Sequence, residues 1–194
     1  KPMFERLTNE ILPQKFLRRA HERVRIWTAA CGGGQEPYTI AMILEELRKS
    51  GAHLACEIVA TDMSQRLIEK ARSGLYTQFE VQRGLPIRKL IEHFEKAGDL
   101  WRISDRLRAA VKFEQHNLLA HPGQLGQFDI VFCCNVLSSF DHETRLATLE
   151  RLSDALHPDG VLILGAGEHL PDGADGFSIE DGLIVRRTSA RRAA

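Results

Sequence analysis

Apolar residues near the start of the chain recur at helical spacing. They are Phe4, Leu7, Ile11 and Leu12. Residues three or four positions apart lie on one face of a helix, so this spacing predicts an amphipathic helix. Pro13 follows, and we expect it to interrupt the helix because proline has no backbone N–H to donate. Residues 1–22 are therefore predicted to form a covering helix and a linker.

A β-prone run and an amphipathic helix come next, separated by glycines. Residues 24–30 contain several β-branched and aromatic side chains, and they lead into the sequence CGGG of residues 31–34. Pro37 suits the first turn of a helix, and apolar residues then repeat at helical spacing until Gly51. This order predicts a strand, a tight loop and a helix.

The same order recurs in the following segment. Residues 57–61 predict a second strand, and Asp62 lies at its end. Residues 64–72 predict a helix that stops at Gly74, since glycine commonly follows the last turn of a helix. A second βα unit is therefore predicted.

Further strands and one helix are predicted in the second half of the chain. Residues 111–116 and 128–134 predict strands, and the second run is nearly all apolar, as expected of a strand buried on both faces of a parallel sheet. Leucines between 146 and 156 form one helix face, residues 157–160 (HPDG) predict a turn, and residues 161–164 predict a fifth strand. Alternating strands and helices are typical of a doubly wound α/β sheet with helices on both faces.

The C-terminal segment predicts a hairpin. Residues 177–180 and 183–187 flank Asp181 and Gly182, and an Asp-Gly pair between two β-prone runs is a strong hairpin signal. The last two strands are therefore predicted to be antiparallel, which distinguishes the fold from a plain dinucleotide-binding fold.

One region does not follow the alternation. Residues 75–110 combine a helical spacing with a strand-like run at residues 100–103. We interpret this region as an insertion within a single domain that spans residues 23–194.

Length, composition and charge limit the class of protein. The chain has 194 residues, of which 43% are hydrophobic and 27% charged, so one folded core is expected and disorder is disfavoured. Lys plus Arg (26) equals Asp plus Glu (26), so no overall field attracts nucleic acid or an anionic membrane. No apolar run approaches the roughly 20 residues that span a bilayer. We expect no nucleic-acid partner and no membrane insertion, and we expect a monomer.

The cysteines and histidines do not have the spacing of metal ligands. Cys31, Cys56, Cys133 and Cys134 lie in or beside apolar runs without a paired motif, which favours a reducing, cytoplasmic compartment. For the adjacent pair at 133 and 134 we favour a role in a core strand over a redox role. No metal site is predicted. The chain begins at Lys1 within an amphipathic segment, and we interpret it as a fragment of a longer protein.

The glycine loop and the start of the following helix suggest a binding site. In an open α/β sheet, ligands bind beyond the carboxyl ends of the strands, where the strand order reverses. Glycines let the backbone approach a ligand closely. Glu36 repels a phosphate at that helix start and attracts an ammonium group, so the loop is predicted to hold a zwitterionic amino-acid moiety. The alternative is that the glycines only make a tight turn and Glu36 only interacts with the helix dipole.

Three further polar residues follow predicted strands. Asp62 lies where such folds place an acid on ribose hydroxyls, although it is also suited to cap the next helix. Asn117 and Asn135 lie just past the third and fourth strands. Each is either a hydrogen-bonding partner for an adenine edge or a cofactor carboxylate, or a turn residue.

Five segments of the chain together carry a family pattern. They are residues 26–38 (IWTAACGGGQEPY), 60–62 (ATD), 70–76 (KARSGLY), 117–119 (NLL) and 128–136 (FDIVFCCNV). In this order they resemble the chemotaxis-receptor methyltransferases, the CheR family. The resemblance implies a Rossmann-like class I methyltransferase fold with a small inserted β-subdomain. It also implies S-adenosylmethionine as methyl donor, S-adenosylhomocysteine as product, and glutamates in the cytoplasmic helical region of chemoreceptors as acceptors.

The resemblance also implies roles for individual residues. The implied cofactor-binding residues are Ala30, Gly32, Glu36, Asp62, Met63, Asn117, Leu118, Asn135 and Val136. Of these, Glu36 and the Ala30 backbone would face the methionine portion, Asp62 the ribose, and Asn117 with Leu118 the adenine. Asn135 and Ser139 are the implied catalytic residues. A glutamate acceptor has an ordinary pKa of about 4.3 and needs no general base at neutral pH, so its placement carries the catalysis.

The chain departs from the family pattern near the implied reaction site. Where the family has arginine and tyrosine, this chain has Cys134 and Ser139, and the family's Gly-His-Ser-Glu becomes Gly-Ala-Gly-Glu, ending at Glu168. The family's N-terminal helical subdomain would precede Lys1. Loss of the tyrosine removes an aromatic wall, so a second hypothesis is a regulatory module that binds the cofactor with weak or lost transfer. Small-molecule methyltransferases and nicotinamide-binding domains are further alternatives.

Overall fold

The computed structural model describes residues 2–19, 22–52, 55–174, 177–180 and 184–187. The strands are β1 (Val24–Ala29), β2 (Cys56–Asp62), β3 (Leu75–Tyr76), β4 (Phe94–Ala97), β5 (Leu100–Ile103), β6 (Val111–Gln115), β7 (Phe128–Cys133), β8 (Leu156–Leu164), β9 (Phe177–Glu180) and β10 (Ile184–Arg187). The helices are α1 (Pro2–Arg6), α2 (Leu12–Arg18), α3 (Gln35–Lys49), α4 (Gln65–Ser73), α5 (Gln78–Gln82), α6 (Ile87–His93), α7 (Asp105–Ala109) and α8 (His142–Asp154). Within these ranges, no helix has both the length and the apolar character needed to cross a bilayer.

In the described part of the chain, seven strands form the central sheet, in the order β6-β2-β1-β7-β8-β10-β9. The first five are parallel, whereas β10 runs antiparallel to both β8 and β9. This confirms the predicted doubly wound α/β fold with a C-terminal antiparallel pair. The turn predicted at Asp181 and Gly182 lies outside the described residues. Because the strand order reverses at β1, the carboxyl ends of β1 and β7 border the crevice where such sheets bind ligands.

The core has one apolar layer on each face of the sheet, because alternate side chains of a strand point in opposite directions. One layer contains Ile26, Ile58, Ile130 and Ile163, together with apolar residues of α2, α3 and α4. The other contains Trp27, Val59, Val131 and Leu162, together with Leu149 and Leu152 of α8. The inner parallel strands are therefore apolar on both faces, which explains their largely apolar sequences, whereas β6 at the sheet edge alternates buried and exposed residues.

The N-terminal helical segment continues through Pro13, so the predicted interruption there is wrong. A π-helical turn over Leu7–Ile11 joins α1 to α2, and the N–H of Leu12 donates to the carbonyl of Leu7. Pro13 consequently lies in the first turn of α2. The π-helical turn just before Pro13 replaces the regular i to i−4 hydrogen bonds, and it is in such a regular ladder that a proline is least tolerated.

The predicted helix face through Leu156, closed by residues 157–160, is also wrong at its end: α8 stops at Asp154, and Leu156 and residues 157–160 belong to β8. Phe128 of β7 pairs with Leu156, but Ile130 pairs with Val161, so β8 bulges between the two pairs. A bulge accommodates the proline and glycine of this segment, since it interrupts the regular ladder of hydrogen bonds.

Residues 75–110 contain a second sheet of three antiparallel strands, in the order β3-β5-β4. Helices α5, α6 and α7 belong to the same region. A separate small sheet explains why this region did not match the βα alternation. The domain boundaries at residues 22 and 23, and the limits of the insertion, stay predictions.

A buried carboxylate anchors the N-terminal segment to the sheet. Asp129 of β7 is 0% exposed. Its two oxygens accept from the Nε of Arg19 at 2.8 Å and from the backbone N–H of Arg25 at 2.9 Å. Arg19 also pairs with Glu22 at 3.0 Å, but the side chain of Glu22 is 70% exposed. The same guanidinium also lies 3.8 Å from the carboxylate of Asp159, whose side chain is 33% exposed, so Asp129 is the most buried of these three partners.

We expect Asp129→Ala to lower the free energy of unfolding by about 2–4 kcal/mol, because it leaves the backbone N–H of Arg25 and the Nε of Arg19 without their buried acceptor. Glu22→Ala is the matched control and should change stability by less than about 1 kcal/mol, since its pair with Arg19 is exposed. Urea denaturation measures both. Equal losses in the two variants would contradict the anchoring role.

Candidate functional site

The loop after β1 is a tight turn that leaves open space beside its backbone. Ala30, Gly32 and Gly34 have positive φ angles of 56°, 55° and 90°. A Cβ on Gly34 would lie 2.9 Å from the Cβ of Ala71, so glycine is required there for close packing on α4. A Cβ on Gly32 would meet no heavy atom within 4 Å. The turn is therefore packed on one side and accessible on the other.

Asp62 holds this loop to the loop after β2. Its carboxylate is 8% exposed, and its two oxygens accept from the N–H groups of Gly32 at 3.0 Å and of Ser64 at 2.9 Å. The N-cap of α4 is Ser64, whose Oγ accepts from the N–H of Leu67. Asp62 is therefore not the helix cap that the sequence left as an alternative. Each carboxylate oxygen has two lone pairs, so both retain capacity for a further donor.

Glu36 lies in the first turn of α3 and carries a carboxyl group with little access to water. Burial raises the pKa of Glu36 to about 7, and a hydrogen bond from the thiol of Cys134 opposes that shift. Burial also raises the pKa of Cys134, so the thiol stays protonated and can donate. Among the described residues, no ion pair involves Glu36. The site thus holds a half-buried acidic group whose ionised form a cationic ligand group would stabilise.

The predicted catalytic residues lie on the loop after β7. Asn135 has a φ of 60°, its side chain is exposed, and its backbone N–H donates to Glu168 at 2.8 Å. Ser139 is exposed, and its hydroxyl donates to the carbonyl of Val136 at 2.6 Å. The contact between Cys134 and Glu36 brings this loop to the start of α3. Asn135 and Glu36 therefore border the same crevice.

Three further residues predicted to bind the cofactor follow β2 and β6, which are adjacent: Met63, and Asn117 with Leu118, the pair implied to meet the adenine. Met63 is 70% exposed and provides apolar surface at this end of the crevice. Leu118 is buried in the same apolar cluster as Ala29. The Oδ1 of Asn117 accepts from the N–H of Leu119 at 3.0 Å, which is the turn role that the sequence left open.

Two supporting residues had no assigned role before the structure was known. The hydroxyl of Tyr76, in β3, donates to the carbonyl of Gly33 at 2.8 Å, so the insertion supports the glycine loop. Glu168 is buried and accepts backbone N–H groups from two loops. Tyr76 ends the family segment at residues 70–76, and Glu168 ends the Gly-Ala-Gly-Glu stretch. Their contacts with distant segments cannot be predicted from sequence spacing.

A group of potential metal ligands lies between α3 and α6. One ligand atom each of Glu45, Glu92 and His93 lies within 4.8 Å of the others. The ammonium of Lys49 is 3.2 Å from Glu45 and 2.6 Å from Glu92, and Arg106 also pairs with Glu45. Side-chain cations thus neutralise both carboxylates, and we assign no metal to this group.

A cavity of about 720 Å³ lies between the N-terminal helices, α3 and the insertion. Its apolar lining includes Phe4, Tyr38, Met42, Val81 and Phe94. None of the predicted cofactor-binding residues lines it, so we do not place the cofactor there.

A family model and individual relatives place this chain in the same family. The family model described as CheR methyltransferase, SAM binding domain, matches residues 1–184. The chain is 36% identical over 190 residues to the chemotaxis protein methyltransferase Cher2 of Pseudomonas putida and 37% identical over 190 residues to chemotaxis protein methyltransferase 1 of Pseudomonas aeruginosa. Each alignment covers 94% of this chain and 69% of the relative.

A solved structure shows the same fold at low sequence identity. The TehB-like SAM-dependent methyltransferase of Corynebacterium glutamicum aligns with a TM-score of 0.51 and 13% identity. The alignment covers 93% of this chain and 89% of that protein.

The acidic group at position 36 predicts how stability depends on pH. Its pKa rises from an ordinary 4.5 to about 7 on folding, so the folded state holds the proton more tightly at intermediate pH. We expect the free energy of unfolding of the ligand-free protein to fall as pH rises from 5 to 8, by up to about 3 kcal/mol. Glu36→Gln should remove this part of the pH dependence. Urea denaturation between pH 5 and 8 measures this pH dependence. Glu143→Gln, at an exposed position of α8, is the control. A slope unchanged by Glu36→Gln would contradict the assignment.

Proposed function

The chain belongs to the CheR methyltransferase family, and on that basis we propose that it transfers the methyl group of S-adenosylmethionine to glutamate side chains of chemoreceptors in the cytoplasm. The cofactor of the matching domain is S-adenosylmethionine, and both relatives are named chemotaxis protein methyltransferases. The observation that carries the proposal is the carboxyl group of Glu36, which lies beside the glycine loop without an ion-pair partner among the described residues.

The crevice has groups that suit each part of S-adenosylmethionine. The cofactor's ammonium group complements the ionised form of Glu36, and its ribose hydroxyls suit the unused lone pairs of Asp62. Met63 and Leu118 offer apolar surface to the adenine. The open space beside Gly32 leaves room for the chain between them. When bound, the cofactor supplies an electrophilic methyl group on a positively charged sulfur.

The residues of this chain have to orient the acceptor rather than deprotonate it. A glutamate side chain is ionised at neutral pH and is already a nucleophile. Transfer then depends on holding one carboxylate oxygen in line with the methyl–sulfur bond, in a place that excludes water. We propose that Asn135 and the turn that contains Ser139 perform this positioning, since they lie on the loop that faces Glu36 through Cys134.

The hydrogen bond of Ser139 supports a second candidate function, that of a regulatory module. The hydroxyl of Ser139 is engaged with the carbonyl of Val136 within its own turn, so it does not replace the tyrosine of the family pattern. The adjacent loops that would hold the cofactor are nevertheless intact. A module that binds S-adenosylmethionine or S-adenosylhomocysteine and regulates a signalling complex would have these features.

Activity separates the two functions. We expect the full chain, incubated with methyl-labelled S-adenosylmethionine and membranes that carry a chemoreceptor, to form methyl esters that release methanol in base. Membranes without the receptor are the control. Calorimetric binding of S-adenosylhomocysteine without any transfer would favour the regulatory module, and binding of neither cofactor form would exclude both functions.

Cofactor affinity tests the role of Asp62. We expect Asp62→Ala to weaken the binding of S-adenosylhomocysteine by about 1–3 kcal/mol, because hydrogen bonds to a charged group are lost. Isothermal titration calorimetry measures the change. Ser64→Ala is the matched control, since it removes the cap of α4 and leaves the carboxylate in place. If Asp62→Ala binds as tightly as the wild type, Asp62 has only a structural role.

A further inference from the structure

One carboxylate connects the two loops that follow β7 and β8. Glu168 lies just after β8 and is 7% exposed. Its Oε2 accepts from the backbone N–H groups of Asn135 at 2.8 Å and Gly165 at 2.9 Å, and its Oε1 accepts from the N–H of Ser138 at 3.2 Å. A single side chain thus serves three donors on two loops.

The charge of this carboxylate is compensated by the backbone. Among the described residues, Glu168 forms no salt bridge, and its hydrogen-bond partners are N–H groups. A buried ion is unfavourable unless its oxygens are well hydrogen-bonded, and several converging N–H groups form a suitable anion site. The loops are therefore arranged around the carboxylate, and its removal would leave three N–H groups without their acceptor.

The geometry of Asn135 depends on this junction. Its φ of 60° lies in the left-handed region, which is unfavourable for residues other than glycine although asparagine adopts it more readily than most. A Cβ on Gly165 would lie 2.6 Å from the Oδ1 of Asn135 and 2.9 Å from Oε2 of Glu168. Glu168 thus holds the backbone of Asn135. The absence of a side chain at Gly165 leaves space for the side-chain amide of Asn135.

We propose that Glu168 is a positioning residue for methyl transfer: it holds Asn135 and the following turn at the crevice without touching the reactants. This inference rests on the proposed function. The loops that hold the glycine turn and Asp62 are connected by a different hydrogen bond, from Gly32 to Asp62. Loss of Glu168 should therefore affect transfer far more than cofactor binding, because a displacement of about 1 Å in a catalytic group costs up to about a hundredfold in rate.

Glu168→Gln in the full chain tests this role, because it keeps the shape and replaces one acceptor with a donor. We expect kcat for methyl transfer to chemoreceptor membranes to fall by about 10- to 100-fold. The Kd for S-adenosylhomocysteine should rise by a smaller factor than kcat falls, because Glu168 contacts the loop of Asn135 and Val136, whereas Gly32 and Asp62 are held by their own hydrogen bond. Hydrogen exchange should increase at residues 134–139 and 165–168 but not at residues 30–36.

Two further variants make the result decisive. Gly165→Ala disturbs the same junction without altering the carboxylate, and we expect it to lower kcat at nearly constant Kd. Glu143→Gln, at an exposed position of α8, should retain wild-type kinetics. A wild-type kcat in both Glu168→Gln and Gly165→Ala overturns the inference. A loss of kcat that is matched by an equal loss of cofactor affinity also overturns it. If the wild-type chain transfers no methyl group, the proposed function itself fails.

Discussion

The hydrogen bond from the Gly32 N–H to the Asp62 carboxylate connects the two loops on which the candidate site depends. It is possible because β1 and β2 are adjacent and parallel, so their carboxyl ends meet at one edge of the sheet. The carboxylate is buried, and backbone donors compensate its charge. The turn after β1 is consequently held with its open side toward the crevice, where the first turn of α3 presents Glu36.

Glu168 performs a corresponding task on the other side of the same crevice. It connects the loops after β7 and β8, which are also adjacent and parallel. Between these two hydrogen-bonded carboxylates, Glu36 has a thiol as its polar neighbour, and burial raises its pKa to about 7. Of the three acidic residues, Glu36 is the one whose charge the described backbone and side chains leave least compensated, so a cationic ligand group is best matched there.

Two errors in reading the sequence have a common cause. Pro13 and the segment at residues 157–160 both carry residues that usually end an element. In the structure, a π-helical turn places Pro13 in the first turn of a new helix, and a bulge accommodates the other segment within β8. Tertiary packing supports these irregularities, whereas local propensity assumes regular elements.

The sequence alone determined the βα order of the central sheet outside residues 75–110, the antiparallel C-terminal pair and the family, because these depend on periodicity and short motifs. It also placed Asp62 and Asn135 at strand ends and Glu36 at the start of a helix. Only the tertiary structure decided what each carboxylate bonds to: Asp62 holds a loop instead of capping a helix, and Glu168 joins two loops. These partners are distant in sequence, and their contact depends on strand order and burial, which no local pattern encodes.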